Sequence, residues 1–423
     1  MLFGVPSLRR AFLTIILLVV LGWLMACGSY SAPNTPPPAQ RNRAFISNST
    51  GGAGIIASLQ VVDTGTDKLV LGSSVSAGPQ PTFMVQSGNG RLTFVFNPIN
   101  NSINVVNNAQ GTSAGAIVLP DVTESIVTAP DGSRVFAAVR NASVLGQPPG
   151  SVEVLSTSAG TLSDSIPIPN VRWLFISPNG NRVLAFSDTS DTVFVIATSL
   201  TGTSNNPITP VTDASFSRPI WATITSDNST AYILSCGAEC GGTASAVTQL
   251  DLTTNPPNVV RSIPVAAGTV GVVNGNTLYI AGSPPGQACD ASTSATQCGR
   301  LEVVDIPSLT VTTPGGGVLI ADGFHTRMAV GSNGKVFAGS GGCTTINNGT
   351  ETRGCLSIVD AAAGTVVAAP DPGDVTGIQP IPNRNVVYVV QGGELRIYDT
   401  TTDKLQATQI NIVGQAVDVK TVP

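Results

Sequence analysis

The 423-residue sequence predicts an all-β fold, a β-propeller of four-stranded antiparallel blades. Three observations support this prediction. A tight turn with Gly or Asn leads into an apolar strand at intervals of 42 to 58 residues, and a second apolar strand follows each time after a connection of variable length. No stretch between the units has the 3.6-residue apolar period of a helix. Units of about 40 to 50 residues with four strands each are typical of propeller blades.

The first recurring element is the turn together with the strand that follows it. "APDGSRVFAAV" at 129–139 and "SPNGNRVLAFS" at 177–187 are two clear copies. Asn or Asp beside Gly suits these turns, because both residue types adopt positive φ angles readily. A bulky residue marks this strand in eight units: Phe45, Phe94, Phe136, Leu184, Tyr232, Tyr279, Phe337 and Tyr388. The second recurring strand, as in "VEVLST" and "LRIYDT", also occurs eight times. The sequence therefore predicts eight blades, or seven if one irregular unit is not a true blade.

The first and last units of the repeat are both incomplete. The unit from Ala44 to about Val75 has only three predicted strands, whereas residues 414–423 supply a single apolar strand. We expect this last strand to pair with the first unit, which completes one blade and removes open strand edges that favour aggregation. The propeller domain is therefore placed at residues 44–423.

The repeat resembles the YVTN-type β-propeller family, whose units run "SPDG.RVYVAN…VSVIDT". The turns "APDG" and "SPNG" and the strands "LEVVDI" and "LSIVDA" carry this resemblance across the propeller domain. Members of this family often have seven blades, and some seven-bladed lactonases share the blade pattern. The resemblance therefore implies a lactonase-like hydrolase as an alternative function.

An acidic or polar residue follows the second recurring strand in most units. Side chains of this kind accept hydrogen bonds from backbone amides where a strand ends, and a ring places equivalent residues far apart. We therefore predict a turn-stabilising role rather than a metal or catalytic site for Asp63, Asn107, Ser156, Asp251, Asp305, Asp360 and Asp399.

The N-terminal segment has the features of an export signal. Arg9 and Arg10 precede the apolar run 11–26, which is shorter than the roughly 20 residues of a membrane span. "LMAC" at 24–27 resembles the lipobox of bacterial lipoproteins, which implies cleavage before Cys27 and acylation of its thiol. Residues 1–26 are thus predicted to be a signal peptide, and the proline-rich residues 27–43 a tether. An uncleaved anchor is the alternative.

These features predict an exported, membrane-anchored lipoprotein of the outer membrane, on its periplasmic or cell-surface side. The alternatives are the inner membrane and, because of "RRAFL" at 9–13, twin-arginine export. A net charge of -5 without a basic cluster argues against nucleic acid as a partner. We expect a monomer whose partner is an envelope protein or a glycan.

Six cysteines remain once Cys27 is assigned to lipid. An even number in an exported chain favours disulfides over a metal site, and the six lie two by two in the connections between the recurring strands of three successive units. Adjacent pairing gives three predicted bridges: Cys236 to Cys240, Cys289 to Cys298, and Cys343 to Cys355.

The chain direction places these cysteine loops opposite the tight turns, on a face that we call the stapled face. The starts of the innermost strands lie on the same face, and elaborated loops on a rigid scaffold often bind partners. The candidate binding residues there are Glu124, Arg172, Trp173, Arg218, Trp221, His325, Arg327 and Asp374. The alternative for each is structural, with the charged residues paired and both Trp packed between blades.

Residues for known catalytic or cofactor chemistry are scarce. His325 is the single histidine and is expected to be exposed or hydrogen-bonded in a loop, no "GxSxG" motif occurs, and no glycine-rich loop opens a helix. We therefore predict no catalytic residue, metal or cofactor, and favour a non-enzymatic binding or scaffold protein acting through its stapled face. The alternatives are the lactonase-like hydrolase and an outer-membrane assembly scaffold, the latter by analogy of architecture alone.

Overall fold

The structure is a computed structural model, and the chain divides into two compact units, residues 1–39 and 40–423. The second unit contains the propeller. The residues that the structure describes are 42–49, 58–203, 205–286, 299–313, 316–344, 346–347 and 352–423. Cys27, the signal segment and most of the tether lie outside these residues. Within the described ranges, no helix combines the length and apolarity that a membrane span requires.

The first half of the described chain forms most of blade I and blades II to IV. Blade I begins with β1 (Arg43–Asn48), β2 (Leu59–Asp63) and β3 (Lys68–Val75). Blade II has β4 (Met84–Gln86), β5 (Leu92–Asn97), β6 (Ser102–Asn107) and β7 (Thr112–Val118). Blade III has β8 (Ser125–Thr128), β9 (Arg134–Val139), β10 (Ser151–Ser156) and β11 (Thr161–Pro167). Blade IV has β12 (Val171–Ile176), β13 (Arg182–Ser187), β14 (Thr192–Ala197) and β15 (Ile208–Thr212), with a 3₁₀ helix at Thr198–Leu200.

The second half forms blades V to VIII. Blade V has β16 (Pro219–Ile224), β17 (Thr230–Ser235), a 3₁₀ helix at Gly237–Cys240, β18 (Ala246–Asp251) and β19 (Asn258–Pro264). Blade VI has β20 (Val270–Asn274), β21 (Thr277–Gly282), β22 (Gly299–Asp305) and two short outer strands, β23 (Thr310–Val311) and β24 (Val318–Ile320). Blade VII has β25 (Phe324–Val330), β26 (Val336–Gly341), the hairpin β27 (Ile346–Asn347) and β28 (Thr352–Arg353), β29 (Leu356–Asp360) and β30 (Thr365–Ala368). Blade VIII has β31 (Val375–Pro380), β32 (Val386–Gln391), β33 (Glu394–Asp399) and β34 (Lys404–Leu405), and β35 (Ala416–Val422) ends the chain.

The two ends of the propeller meet in blade I. Strand β35 pairs antiparallel with β1, from Arg43 opposite Val422 to Ser47 opposite Asp418, so the sheet order is β3-β2-β1-β35. The innermost strands of neighbouring blades contact one another all the way around. The prediction of eight antiparallel blades, with the last strand closing the first, is therefore confirmed.

The core lies in the spaces between successive blades. The bulky residue of the second strand in each blade points into this space, and Phe45, Phe94, Phe136 and Phe337 are fully buried. One such cluster joins Leu184 and Phe186 of blade IV to residues of blade V. At about 1.5–3 kcal/mol for each large apolar side chain removed from water, these clusters stabilise the contact between blades.

Charged and polar side chains reinforce the turns and the contacts between blades. The predicted turn role of the recurrent acids is confirmed: Asp251 accepts a hydrogen bond from the Thr253 amide at 2.8 Å, and Asp399 from the Thr401 amide at 2.7 Å. Basic side chains at or just before the second strand of a blade reach the turn between the third and fourth strands of the next blade. These contacts join Arg43 to Asn108, Arg134 to Thr198, Arg182 to Leu252, Lys335 to Asp403 and Arg384 to Thr64.

Candidate functional site

The innermost strands are irregular where they leave the stapled face. Register shifts mark a bulge in the pairing of β12, β16, β25, β31 and β35 with their neighbours. A bulge turns the residue after it in a new direction, and bulges are common beside functional sites. Here the residues after three of the bulges, Trp173, Trp221 and Arg327, line the central channel.

The central channel contains a cavity of about 620 Å³. One part of its wall is aromatic: Phe175 and Trp221 meet edge to face with ring centroids 5.9 Å apart, and Phe83, Trp173 and Phe324 extend the same surface. The other part is polar and includes Glu124, Ser125, Thr326, Arg327, Asp418 and Lys420. The cavity is therefore amphipathic, with a broad apolar wall and a few charged groups.

A network of ion pairs lies at the mouth of this channel. Arg172 contacts Glu124 at 2.6 Å and Asp188 at 3.4 Å, and Arg140 also pairs with Asp188 at 2.9 Å. The Arg172 guanidinium lies 4.8 Å from the centre of the Trp173 ring, close enough for a cation–π contact. These pairs hold the Trp173 ring in position at the top of the channel.

Two smaller cavities share residues with the channel and widen its mouth. One of about 250 Å³ lies beside Arg218, Glu239 and Cys240 and shares Trp173 and Phe324 with the channel. Another of about 350 Å³ shares Phe83, Phe324, Thr326 and Arg327 with it and extends to Asp374 and Thr376. A ligand in the channel would thus have a recess on each of two sides.

Arg327 lines both the channel and the second of these recesses. Its Nε donates a hydrogen bond to the Thr376 carbonyl at 2.7 Å, and its Nη1 donates to the Thr326 carbonyl at 3.1 Å. No carboxylate within the described ranges forms an ion pair with it. Arg327 is therefore a cation that backbone carbonyls fix at the cavity wall. These two bonds use only two of the five N–H groups of its guanidinium.

Glu239 is a site residue that the sequence analysis missed. It lies within the ring closed by Cys236 and Cys240, and its Oε2 accepts a hydrogen bond from the Ser283 amide at 2.8 Å. Burial raises the pKa of Glu239 to about 7, although the Ser283 amide acts in the opposite direction. A carboxyl group with such a pKa can take up or release a proton near neutral pH.

The predicted bridges Cys236 to Cys240 and Cys343 to Cys355 are both confirmed. Cys240 lines the mouth, and the Gly342 amide next to Cys343 donates to Asp374 at 2.8 Å. The stapled loops thus border the channel. The third predicted bridge, Cys289 to Cys298, lies outside the described residues.

Seven of the eight candidate binding residues lie around this mouth and channel. Glu124, Trp173, Trp221 and Arg327 line the channel, Arg172 and Arg218 the first recess, and Asp374 the second.

His325 differs from the other candidates. It was expected to be exposed or bonded in a loop, but it lies on β25 with 1% of its surface exposed and faces away from these cavities. The bulge between His325 and Arg327 explains the difference, because it directs Arg327 into the channel and the imidazole into the blade. Burial lowers the pKa of His325 to about 4, so the ring is neutral at pH 7.

The acids near the channel are already occupied. Asp418 accepts hydrogen bonds from the Met84 amide at 2.9 Å and from the Val419 amide at 2.8 Å. Across the described part of the chain, no three His, Cys, Asp or Glu side chains come together as metal ligands would.

Comparisons with known proteins support the fold. No protein-family model and no curated protein matches the chain, so the resemblance to the YVTN-type family stays a prediction. The structure of the dihydro-heme d1 dehydrogenase NirN in complex with DHE is similar, with a TM-score of 0.64, 10% identity, and coverage of 93% of this chain and 78% of that one. A putative 6-phosphogluconolactonase from Bacteroides fragilis has a TM-score of 0.51 and 14% identity, with coverage of 92% and 100%. A protein of unknown function from Desulfotomaculum acetoxidans has a TM-score of 0.52 and 11% identity, with coverage of 90% and 99%. Identities this low show a shared β-propeller fold alone.

Proposed function

We propose that this protein is an envelope-anchored binding protein that holds a small ring-bearing ligand in its central channel. The observation that supports this proposal most directly is the aromatic wall of a cavity of about 620 Å³, formed by Phe83, Trp173, Phe175, Trp221 and Phe324. Small-molecule sites are typically about 300–1,000 Å³ in volume, mostly apolar, and equipped with a few polar groups that orient the ligand. The channel has each of these properties.

The stapled face supplies the way into this site. A disulfide closes residues 236–240 beside the mouth, and a second one joins Cys343 to Cys355 there, so these points of the rim are held in place. A rigid rim lowers the entropic cost of binding, since less of the protein has to be ordered when the ligand arrives. An envelope protein or a glycan that docks on this face would cover the same mouth.

Binding of the neutral dye N-phenyl-1-naphthylamine, followed by its fluorescence, tests this proposal. Trp221→Ala removes a ring that packs against Phe175 at 5.9 Å, and Trp173→Ala removes another part of the wall. Aromatic contacts of this kind contribute about 0.5–1.5 kcal/mol beyond area burial, so we expect each variant to bind about 10-fold more weakly. Leu71→Ala, a change at a side chain that is 87% exposed, is the control and should bind as the parent does. Equal binding by all four proteins would contradict a channel site.

The lipid anchor is part of the same proposal. Two disulfides in the propeller fit an oxidising compartment outside the cytoplasm, and an acylated Cys27 would tether the domain to the outer membrane through the proline-rich segment. Metabolic labelling with a radioactive fatty acid should mark the parent protein and leave Cys27→Ser unlabelled. Label on both proteins would refute acylation at this residue.

A lactonase-like hydrolase is the second candidate, and Glu239 is the observation that favours it. Its carboxyl, with a pKa near 7, lies in a recess that opens to the channel, which suits a general acid or base. Hydrolysis of a panel of sugar lactones by the parent, by Glu239→Gln and by Arg327→Ala separates the two functions. Turnover in the parent that disappears in Glu239→Gln would support the hydrolase function. The absence of turnover in the parent would contradict it.

A further inference from the structure

We propose that Arg327, with the hydroxyls of Thr326 and Thr376, forms an anion subsite beside the aromatic channel. The ligand is then an amphipathic anion, an apolar ring body that carries a carboxylate, sulfonate or similar group. This inference rests on the proposed function, because the aromatic wall has to hold the apolar part of the same molecule.

The guanidinium of Arg327 is positioned for an external acceptor. Two of its donors hold it to the Thr376 and Thr326 carbonyls at 2.7 and 3.1 Å, which fixes its plane. Arginine has five N–H groups, so three are not used in these two bonds, and the residue lines two cavities. A planar fork of this kind matches a carboxylate or sulfonate.

Two hydroxyls beside Arg327 add to the subsite. The Thr376 Oγ1 is buried and has no hydrogen-bond partner in the described part of the structure, while its residue lines the recess next to Arg327. Thr326 lines both the recess and the channel. A buried hydroxyl without a partner is costly. An anionic oxygen in the recess would accept hydrogen bonds from the guanidinium and, after rotation of the Thr376 side chain toward the recess, from this hydroxyl as well.

The acids near Arg327 are held by groups other than its guanidinium. Asp374 accepts the Gly342 amide at 2.8 Å, and Asp418 is occupied by backbone amides. Lys420 also lines the channel, where it forms an ion pair with Asp418 at 3.8 Å, so these two charges balance each other. Neither acid forms an ion pair with Arg327.

A pair of dyes with one ring system tests this inference. 8-Anilinonaphthalene-1-sulfonate carries a permanent sulfonate, and N-phenyl-1-naphthylamine is its uncharged counterpart. In Arg327→Gln we expect the sulfonate dye to bind 10- to 100-fold more weakly and the neutral dye within 2-fold of the parent. Arg327→Lys should lose less for the sulfonate dye, because it keeps the charge without the planar fork. Thr376→Val should weaken that dye alone, by a smaller factor.

The control is Arg261→Gln, which removes the same charge from an exposed side chain on β19 outside the channel. It should bind both dyes as the parent does. Equal weakening of both dyes in Arg327→Gln, or of neither, would overturn the anion subsite, and binding of the neutral dye by the parent would still support the channel. A parent protein that binds neither dye would overturn the channel proposal and this inference with it. Circular dichroism of each variant distinguishes a loss of binding from a loss of structure. If Arg327→Gln does not fold, Arg327→Lys and Thr376→Val provide the same comparison of the two dyes.

Discussion

Asp67→Asn is expected to weaken the junction at which the ring closes. Asp67 lies in the turn before β3 of blade I, and its carboxylate accepts hydrogen bonds from the Arg384 guanidinium of blade VIII at 2.5 and 2.8 Å. The buried hydroxyl of Tyr388 donates to the same carboxylate. Asp67 has a positive φ of 54°, which Asn also tolerates. The substitution therefore tests the charge and its hydrogen bonds rather than the backbone.

The magnitude follows from the exposure of the two partners. Removing one member of a fully buried ion pair costs about 3–5 kcal/mol, because the other charge is left without a partner. The Asp67 side chain is 11% exposed and the Arg384 side chain is 30% exposed, so water compensates part of that loss. We expect the free energy of unfolding to fall by about 2–3 kcal/mol at pH 7.

The effect should depend on pH in a defined direction. Burial alone would raise the pKa of Asp67, but the hydrogen bonds from Arg384 and Tyr388 lower it below its usual value. A carboxyl with a lowered folded-state pKa stabilises the fold above the unfolded-state pKa of about 3.9 and loses this contribution as pH falls through the folded-state value. The difference between the parent and Asp67→Asn should therefore be largest near neutral pH and shrink below about pH 4.

Urea unfolding, followed by far-ultraviolet circular dichroism at several pH values, measures this difference. Asp131→Asn is the matched control, because Asp131 is an exposed turn acid bonded to its neighbour Ser133. It should lose no more than about 0.5 kcal/mol, as is usual for surface substitutions. A loss in Asp67→Asn no larger than in this control, or one that persists unchanged at acid pH, would refute the reasoning.

Two further predictions concern the stapled face. Replacing both cysteines of a bridge by Ser should lower the free energy of unfolding by about 2 kcal/mol for Cys236 with Cys240 and by about 3 kcal/mol for Cys343 with Cys355. The values differ because the bridged residues are 4 and 12 positions apart, and the longer loop loses more entropy on closure. A larger loss for the shorter loop would contradict this. Burial raises the pKa of Glu239 to about 7, so its contribution to stability is lost as pH rises above the unfolded-state pKa of about 4.3, and the loss is complete above about pH 7. Glu239→Gln should then melt at a higher temperature than the parent at pH 8 and at a similar one near pH 4, and a constant difference in melting temperature would disprove it.

The fold could be predicted from the sequence because its determinants are local and repeated. The turn before each second strand needs a positive φ, and Gly132 and Gly180 have φ angles of 74° in equivalent places. The recurrent acids bond to amides two or three residues away. Such short-range signals recur in most blades and fix the strands, and the missing strand in the first unit then indicates how the ring closes.

The site was only partly predictable because its details depend on contacts between distant segments. Trp173, Trp221 and Arg327 were found from the direction of the chain alone, since each starts an innermost strand. Glu239 was missed because its pKa depends on burial against Gly282 and Ser283 of blade VI, more than 40 residues away. The orientation of His325 depends on a bulge, and no sequence pattern marks bulges in these strands.

One position of the innermost strands differs in chemistry from blade to blade. The residue two positions after the bulky marker of each second strand lies opposite one residue of the innermost strand. These innermost-strand residues are Phe83, Ser125, Trp173, Trp221, Val270, Arg327, Gly377 and Asp418. All of them except Gly377 line the channel. The marker itself is always large and apolar because it packs between blades, whereas this position ranges from Gly to Trp and from Arg to Asp. Two of these side chains, Asp418 and Ser125, also accept a backbone amide of the next blade. A repeat protein whose structural positions agree from blade to blade and whose channel positions differ has an asymmetric channel, and asymmetry of this kind allows one end of a ligand to be distinguished from the other.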